Sequence, residues 1–269
     1  MPFDSTGKIS FDHIYTEPDP RPYLRTLGAL DYHLPQLAKP YFAKLIDERR
    51  SPTVLDVGCS YGVNAALYRC DTTMDDLSAH YASEEATQLD RAALIERDRA
   101  LVRAPASRAA RFVGLDVAAP ALEYARAAGF LDEAVHADLE HDEPTERQAA
   151  VLAEADLVIS TGCIGYVTER TIGRIAELPG GRRPAMAHFV LRMFSYEPVA
   201  DRLAGLGYET VGVAGVFRQR RFASAREREQ ILDTLRAAGV EPHELETEGW
   251  LCAQLYLSRT AENSADNRG

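Results

Sequence analysis

Nine consecutive residues limit most strongly what this 269-residue chain can become: Val54-Leu55-Asp56-Val57-Gly58-Cys59-Ser60-Tyr61-Gly62. A short apolar run suited to a strand carries an acid near its end and breaks at once into a glycine turn. Gly58 and Gly62 permit positive φ and remove side chains, so a ligand can approach the backbone closely. A helix opening after the turn offers free amides to an anionic group. The spacing excludes the dinucleotide fingerprint, which needs GxGxxG and an acid about 20 residues later. Here Asp56 precedes the first glycine by two residues. A carboxylate at that place repels a diphosphate and suits a cationic amine. No Gly-Lys-Ser/Thr follows, so the turn is not a P-loop.

Around this turn the chain alternates strands and helices. Apolar runs at 53–57, 111–115, 134–137, 156–160 and 185–191 read as strands. Pro120 and Gly129 bracket one helix, and Pro179-Gly180-Gly181 stops another over 168–178. The alternation predicts an α/β fold: a doubly wound, mostly parallel sheet covered by helices on both faces. Near the C-terminus, Ser224-Ala225-Arg226-Glu227 reads as a capping box opening a helix with Ile231, Leu235 and Ala238 on one face. Strands at 241–246 and 250–258, joined by Thr247-Glu248-Gly249, read as a closing hairpin. The prediction is a seven-stranded sheet with an antiparallel last strand, formed by residues 51–259. Residues 1–50, broken by prolines and rich in Tyr and Phe, read as an N-terminal helical cover with short helices near 23–30 and 37–49. About fifty residues separate Gly62 from the strand at 111, too many for a bare loop. They predict a helical insertion at about 71–108, read as a solvated excursion in preference to a lid or a homodimer surface. Residues 260–269 read as a disordered tail.

The chain is acidic, with net charge −11, and shows no basic stripe. That argues against a nucleic-acid partner. No apolar run approaches the ~20 residues that span a bilayer, so no membrane partner is expected. The start carries no export signal, and Cys59, Cys70, Cys163 and Cys252 form no CxxC pair. The expectation is a cytoplasmic protein with reduced thiols and no metal site.

At Asp56, Gly58 and Gly62 the chain resembles the class I S-adenosylmethionine-dependent methyltransferases, whose first motif reads approximately E/D-x-G-x-G-x-G; Ser60 stands for the middle glycine. Further marks follow in the family's order: Val113-Gly114-Leu115-Asp116, Val135-His136-Ala137-Asp138-Leu139, and Asp156-Leu157-Val158-Ile159-Ser160-Thr161-Gly162. The resemblance implies a Rossmann-like methyltransferase fold and S-adenosyl-L-methionine as cofactor. It implies that Asp116, with Val117 beside it, takes the ribose diol. Asp138 and the Leu139 amide would meet the adenine. The Cys59–Ser60 turn, Ser160 and Thr161 would back the methionine part, and Tyr15 would touch the cofactor from the cover.

The acceptor is expected to be a small molecule, since no Asn/Asp-Pro-Pro-Tyr motif follows the fourth strand. Ligands of open α/β sheets sit at the carboxyl ends of the strands. Candidate acceptor contacts are therefore Tyr166, Arg192 and Tyr196, with His13, Tyr32 and His33 from the cover. Arg218, among the aromatics of 216–222, could bind an anion or pair with acids on a solvated face. Convergence of Arg192 and Arg218 would favour a carboxylate or phosphate acceptor. His188, inside a strand, reads as a buried core histidine. The competing classes are a cofactor-binding regulatory protein without methyl transfer and a nucleotide-dependent oxidoreductase.

Overall fold

The computed structural model describes residues 3–4, 6–102 and 110–261. Eight strands form one sheet: β1 (Thr53–Val57), β2 (Arg111–Asp116), β3 (Glu133–His136), β4 (Leu157–Thr161), β5 (Ala185–Leu191), β6 (Tyr208–Gly212), β7 (Phe217–Arg221) and β8 (Trp250–Thr260). Their order is β3-β2-β1-β4-β5-β8-β6, with β7 also on β8. The first five run parallel, and β8 is antiparallel to β5. Ala253 pairs with Leu191 on one side and Phe217 on the other, and Tyr256 likewise with His188 and Gly212. Strands β6 and β7 therefore share the outer edge of β8. Eight strands fill the seven expected positions.

Alternation along the strands divides the core in two. Val54, Phe112, Leu157 and Phe189 face one apolar cluster, and Leu55, Val113, Val158 and Val190 face the other. The first is covered by α1 (Arg21–Gly28), α2 (Leu34–Asp47), α3 (Val63–Arg69), α4 (Met74–Ala82), α5 (Glu84–Gln88), α6 (Arg91–Val102) and α7 (Ala119–Ala127). The second is covered by α8 (Glu146–Leu152), α9 (Glu169–Ala176) and α10 (Glu197–Ala204). α11 (Ala225–Ala237) returns to the first face, and α12 (Glu244–Thr247) is a single turn before β8.

The closing hairpin is corrected. Residues 241–246 form no strand; His243 caps α12, accepting from Leu245 N–H. The partners of β8 are instead β5 and the ribbon β6–β7. That ribbon lacks an apolar stripe because it is the sheet edge, where exposed Val211, Arg218 and Arg221 are tolerated. The insertion is also corrected. Its three helices bury Met74, Leu77, Tyr81, Ala86, Leu94 and Ile95 in the first core, so it is no solvated excursion. Asp98, fully buried, accepts from the Tyr81 and Tyr124 hydroxyls and meets His80 Nε2. Arg21 donates to the carbonyls of Ala86 and Leu89, tying the insertion to the cover. The end of the expected insertion, 103–108, lies outside the described residues. So does the expected tail apart from Thr260, which ends β8, and Ala261. Among the described residues no helix is long and apolar enough to cross a membrane.

The box at Ser224 is half as expected. Ser224 Oγ accepts from Glu227 N–H at 3.1 Å, but the Glu227 carboxylate does not return to the Ser224 amide. It accepts from the Ala223 and Ile9 amides at 2.7 and 2.9 Å and takes the Arg220 guanidinium on both oxygens, at 2.6 and 3.0 Å. This buried pair fastens the N-terminal cover to the edge ribbon and α11.

Candidate functional site

Strand β1 has β2 on one side and β4 on the other, so the chain reverses its winding there. This is where open α/β sheets leave a crevice at the carboxyl ends. The turn after β1 is shaped for close approach. Gly58 has φ 67° and Gly62 φ 70°. A Cβ on Gly58 would stand 2.6 Å from Cys163 Cβ. Ser60, in place of the middle glycine, also takes a left-handed φ of 50°, at a cost on the order of 1 kcal/mol. The Gly58 amide donates to Leu115 O at 2.8 Å, locking the turn to β2. At the end of β2, Asp116 accepts from the Ser60 amide at 2.8 Å on one oxygen and the Ala118 amide at 2.9 Å on the other.

A cavity of about 540 Å³ opens above these ends, within the size range of small-molecule sites. Across the sheet its floor runs from Asp138 and Leu139 after β3, through Asp116 and Val117, to Gly58–Ser60, then Thr161–Cys163 and Tyr166 after β4. Val117 is 62% exposed, an apolar side chain held open beside Asp116. The roof is the cover, with Lys8, Phe11, Tyr15, Tyr23 and Tyr32, and the far wall adds Gln219 and Arg220 from β7. The roof is tied down: the Tyr61 hydroxyl reaches the carbonyls of Ile14 and Glu17 at 3.0 and 2.8 Å. Tyr15, Tyr23 and Tyr32 pack edge to face. Burial raises the Tyr32 phenol to about 12, against hydrogen bonds with Tyr23 and Thr161, so it stays protonated.

Asp56 does not open into this cavity. Central β1 is buried along its length, and Asn64 Nδ2 from α3 covers the carboxylate, donating at 3.1 and 3.2 Å. Burial pushes Asp56 up to about 7; the Asn64 hydrogen bond opposes this and the Asp116 charge adds to it. What faces the cavity there is Asn64 itself, which the sequence reading missed. Asn64 Oδ1 and Ser60 Oγ are buried without a hydrogen-bond partner among the described residues.

Several expected contacts are absent from the cavity wall. Gly62 caps α3 behind it. Ser160 lies on the same sheet face as Val158, away from the cover, and bonds His188 Nδ1 at 2.7 Å. His188 is the expected core histidine, lowered to about 3 by burial. His13 stands on an exposed turn, and His33 bonds Asp75 at 2.9 Å outside the cavity. Arg192 pairs with Glu246 of α12. Tyr196 stacks on Tyr256, centroids 4.5 Å apart, in the second core. Arg218 lies over the Trp250 ring at 4.9 Å. Arg192 and Arg218 thus do not converge on the cleft. No cluster fit to hold a metal occurs among the described residues.

No family model matches the chain, and no curated protein does. Among solved structures it is similar to a TehB-like SAM-dependent methyltransferase from Corynebacterium glutamicum, at 14% identity over 80% of this chain and 85% of that one, TM-score 0.40. It is similar to precorrin-6y C5,15-methyltransferase from Geobacter metallireducens, at 10% identity over 84% and 89%, TM-score 0.44. A third is the YcgJ protein from Bacillus subtilis, at 9% identity over 84% and 98%, TM-score 0.47. The strand order of this sheet, with five parallel strands, a switch at β1 and an antiparallel penultimate strand, carries the assignment: the chain has the Rossmann-like fold of the class I S-adenosylmethionine-dependent methyltransferases.

Proposed function

We propose that this chain binds S-adenosyl-L-methionine in the cavity at the β1 switch and transfers its methyl group to a small-molecule acceptor held under the N-terminal cover. The observation that carries the reading is Asp116. Its carboxylate is oriented by two backbone amides, faces the cavity, and keeps spare lone pairs for a vicinal diol. The neighbouring groups suit the remaining parts of the same molecule. Val117 gives an apolar surface and Asp138 an acceptor for the adenine side, next to the Leu139 amide. Gly58 and Cys59 leave the floor bare for the amino-acid tail. The orphaned Asn64 Oδ1 accepts from its ammonium, and Asp56 behind it orients the Asn64 amide by accepting from Nδ2. Tyr15 closes over the ligand.

The sulfonium makes the methyl carbon electrophilic, so the displacement needs donor and nucleophile aligned at about 3–3.5 Å more than it needs covalent help. The cover contributes that alignment and excludes water. Tyr15 and Tyr23, whose phenols are pushed up by burial, serve as hydrogen-bonding walls and not as bases. The test is product formation. Purified protein incubated with S-adenosylmethionine and a small-metabolite extract should release S-adenosylhomocysteine in an extract-dependent way, followed by mass spectrometry. Tight cofactor binding with no release against any extract fraction would favour the non-catalytic, regulatory alternative.

A further inference from the structure

The chain has three lysines, Lys8, Lys39 and Lys44. Lys39 is paired with Asp71 at 3.0 Å. Lys8 lines the cavity, and its ammonium forms no ion pair or hydrogen bond among the described residues. The ammonium lies over the face of Tyr166, 4.9 Å from the ring centroid. The other charged wall residues are spoken for. Arg220 is neutralised by Glu227. Asp4 accepts from Thr6, from the Lys8 amide and from the Tyr166 hydroxyl. Glu140 accepts from Thr168 and Thr171, and Asp138 from the Glu140 amide while meeting His141. Asp12, at the exposed rim, and Asp116, held only by two backbone amides among the described residues, are the exceptions.

The position of Lys8 is also fixed from both sides. Its amide donates to Asp4 at 3.1 Å, its carbonyl accepts from the Asp4 amide at 2.8 Å, and the next amide, of Ile9, is held by Glu227 at 2.9 Å. The Phe3–Ile9 bridge closes this small turn. A cation on an anchored stretch of backbone in an enclosed space, with carboxylates near it but none in direct contact with its ammonium, can take an anion that arrives with a ligand. The ring-lined roof beside it, Phe11, Tyr15, Tyr23 and Tyr32, suits a flat apolar body.

We infer that Lys8 is the anion-binding residue of the acceptor pocket and that the acceptor is a small aromatic carboxylate. This rests on the methyltransferase reading only for the word acceptor; the anion subsite stands on the cavity itself. Burial, with the Arg220 charge second, lowers the Lys8 ammonium to about 8, against the attraction of Asp4, Glu227 and Asp12. It remains mostly protonated at neutral pH. A carboxylate seated on it raises that value again.

Benzoate and its neutral isostere benzamide are the probes, titrated into the full chain with and without S-adenosylhomocysteine. Reductive ¹³C-methylation marks the three lysines for NMR and keeps their charge, and Lys8→Met assigns the Lys8 signal by its loss. Benzoate should shift that signal, raise its pKa, and bind at least about tenfold tighter than benzamide. The preference should vanish in Lys8→Met and return in Lys8→Arg, while all three proteins bind S-adenosylhomocysteine equally. Equal binding of the two probes, no binding of either, or a preference that survives Lys8→Met overturns the inference. If S-adenosylhomocysteine fails to bind the unaltered protein, the methyltransferase reading falls, and the probes still decide on Lys8.

Discussion

Asp116 and Asp56 are both carboxylates at the ends of adjacent central strands, yet their surroundings give them different work. Asp116 is held by two amides and faces the cavity. Asp116→Ala should weaken S-adenosylhomocysteine binding by about tenfold to a hundredfold, the value of a buried acceptor lost from a diol. Calorimetry with unchanged affinity would remove the ribose role. Asp56 is fully buried, and its folded-state pKa of about 7 lies above the ordinary aspartate value of 3.8. Between those values the folded state binds the extra proton, so stability falls as pH rises from about 4 through 7 and is level above. Asp56→Asn should remove that part of the pH slope. Urea unfolding at pH 5 and pH 8 checks it: a variant with the same loss between the two pH values as the unaltered chain contradicts the assignment. At the residue scale, sequence named Asp116, Gly58, Val117, Asp138 and Leu139, and the strand ends carry all five to the cavity wall. It did not name Asn64 and Lys8, which line the same cavity. Asn64 could have been found, as the polar exception in the Val63–Leu67 helix start, eight residues beyond Asp56. Lys8 could not, because nothing in a short turn near the N-terminus announces which strand-end loop it will meet.

At the scale of elements, the cover and the edge ribbon are one mechanical unit. Glu227 joins α11, the Arg220 of β7 and the Ile9 amide of the cover through a single buried carboxylate. Burial alone would raise its pKa, but the Arg220 pairing and the two amides hold it below the ordinary glutamate value. Glu227→Ala leaves a buried guanidinium and two amides without partners. It should cost about 3–5 kcal/mol, read from the denaturant midpoint. It should also raise hydrogen exchange at the Ile9 amide before global unfolding; an Ile9 amide that keeps its protection would show that the cover is held by packing alone. The cover cannot be treated as a detachable lid, because Ile14, Tyr23, Leu24, Leu27 and Leu34 are part of the main core. The strands that sequence revealed are the central ones, whose apolar runs are required by burial on both faces, and the edge strand β3, marked by its short run at 134–137. Strands β6 and β7 at the other edge were missed because their sequences carry no apolar run, and their register is imposed by β8, which lies far along the chain.

For the molecule as a whole, the sheet order and the reversal at β1 place four loops side by side above one cavity, and the N-terminal cover roofs it. The arrangement puts carboxylate and amide oxygens along the floor, the exposed apolar Val117 beside them, and the Lys8 ammonium under the roof. The most direct test is an isothermal titration of the full chain with S-adenosylhomocysteine, accompanied by thermal unfolding. One saturable site per chain and a higher melting temperature are expected, since a ligand bound only by the folded state stabilises it. Absence of heat and of any thermal shift, with reduced nicotinamide dinucleotide producing both, would contradict the account.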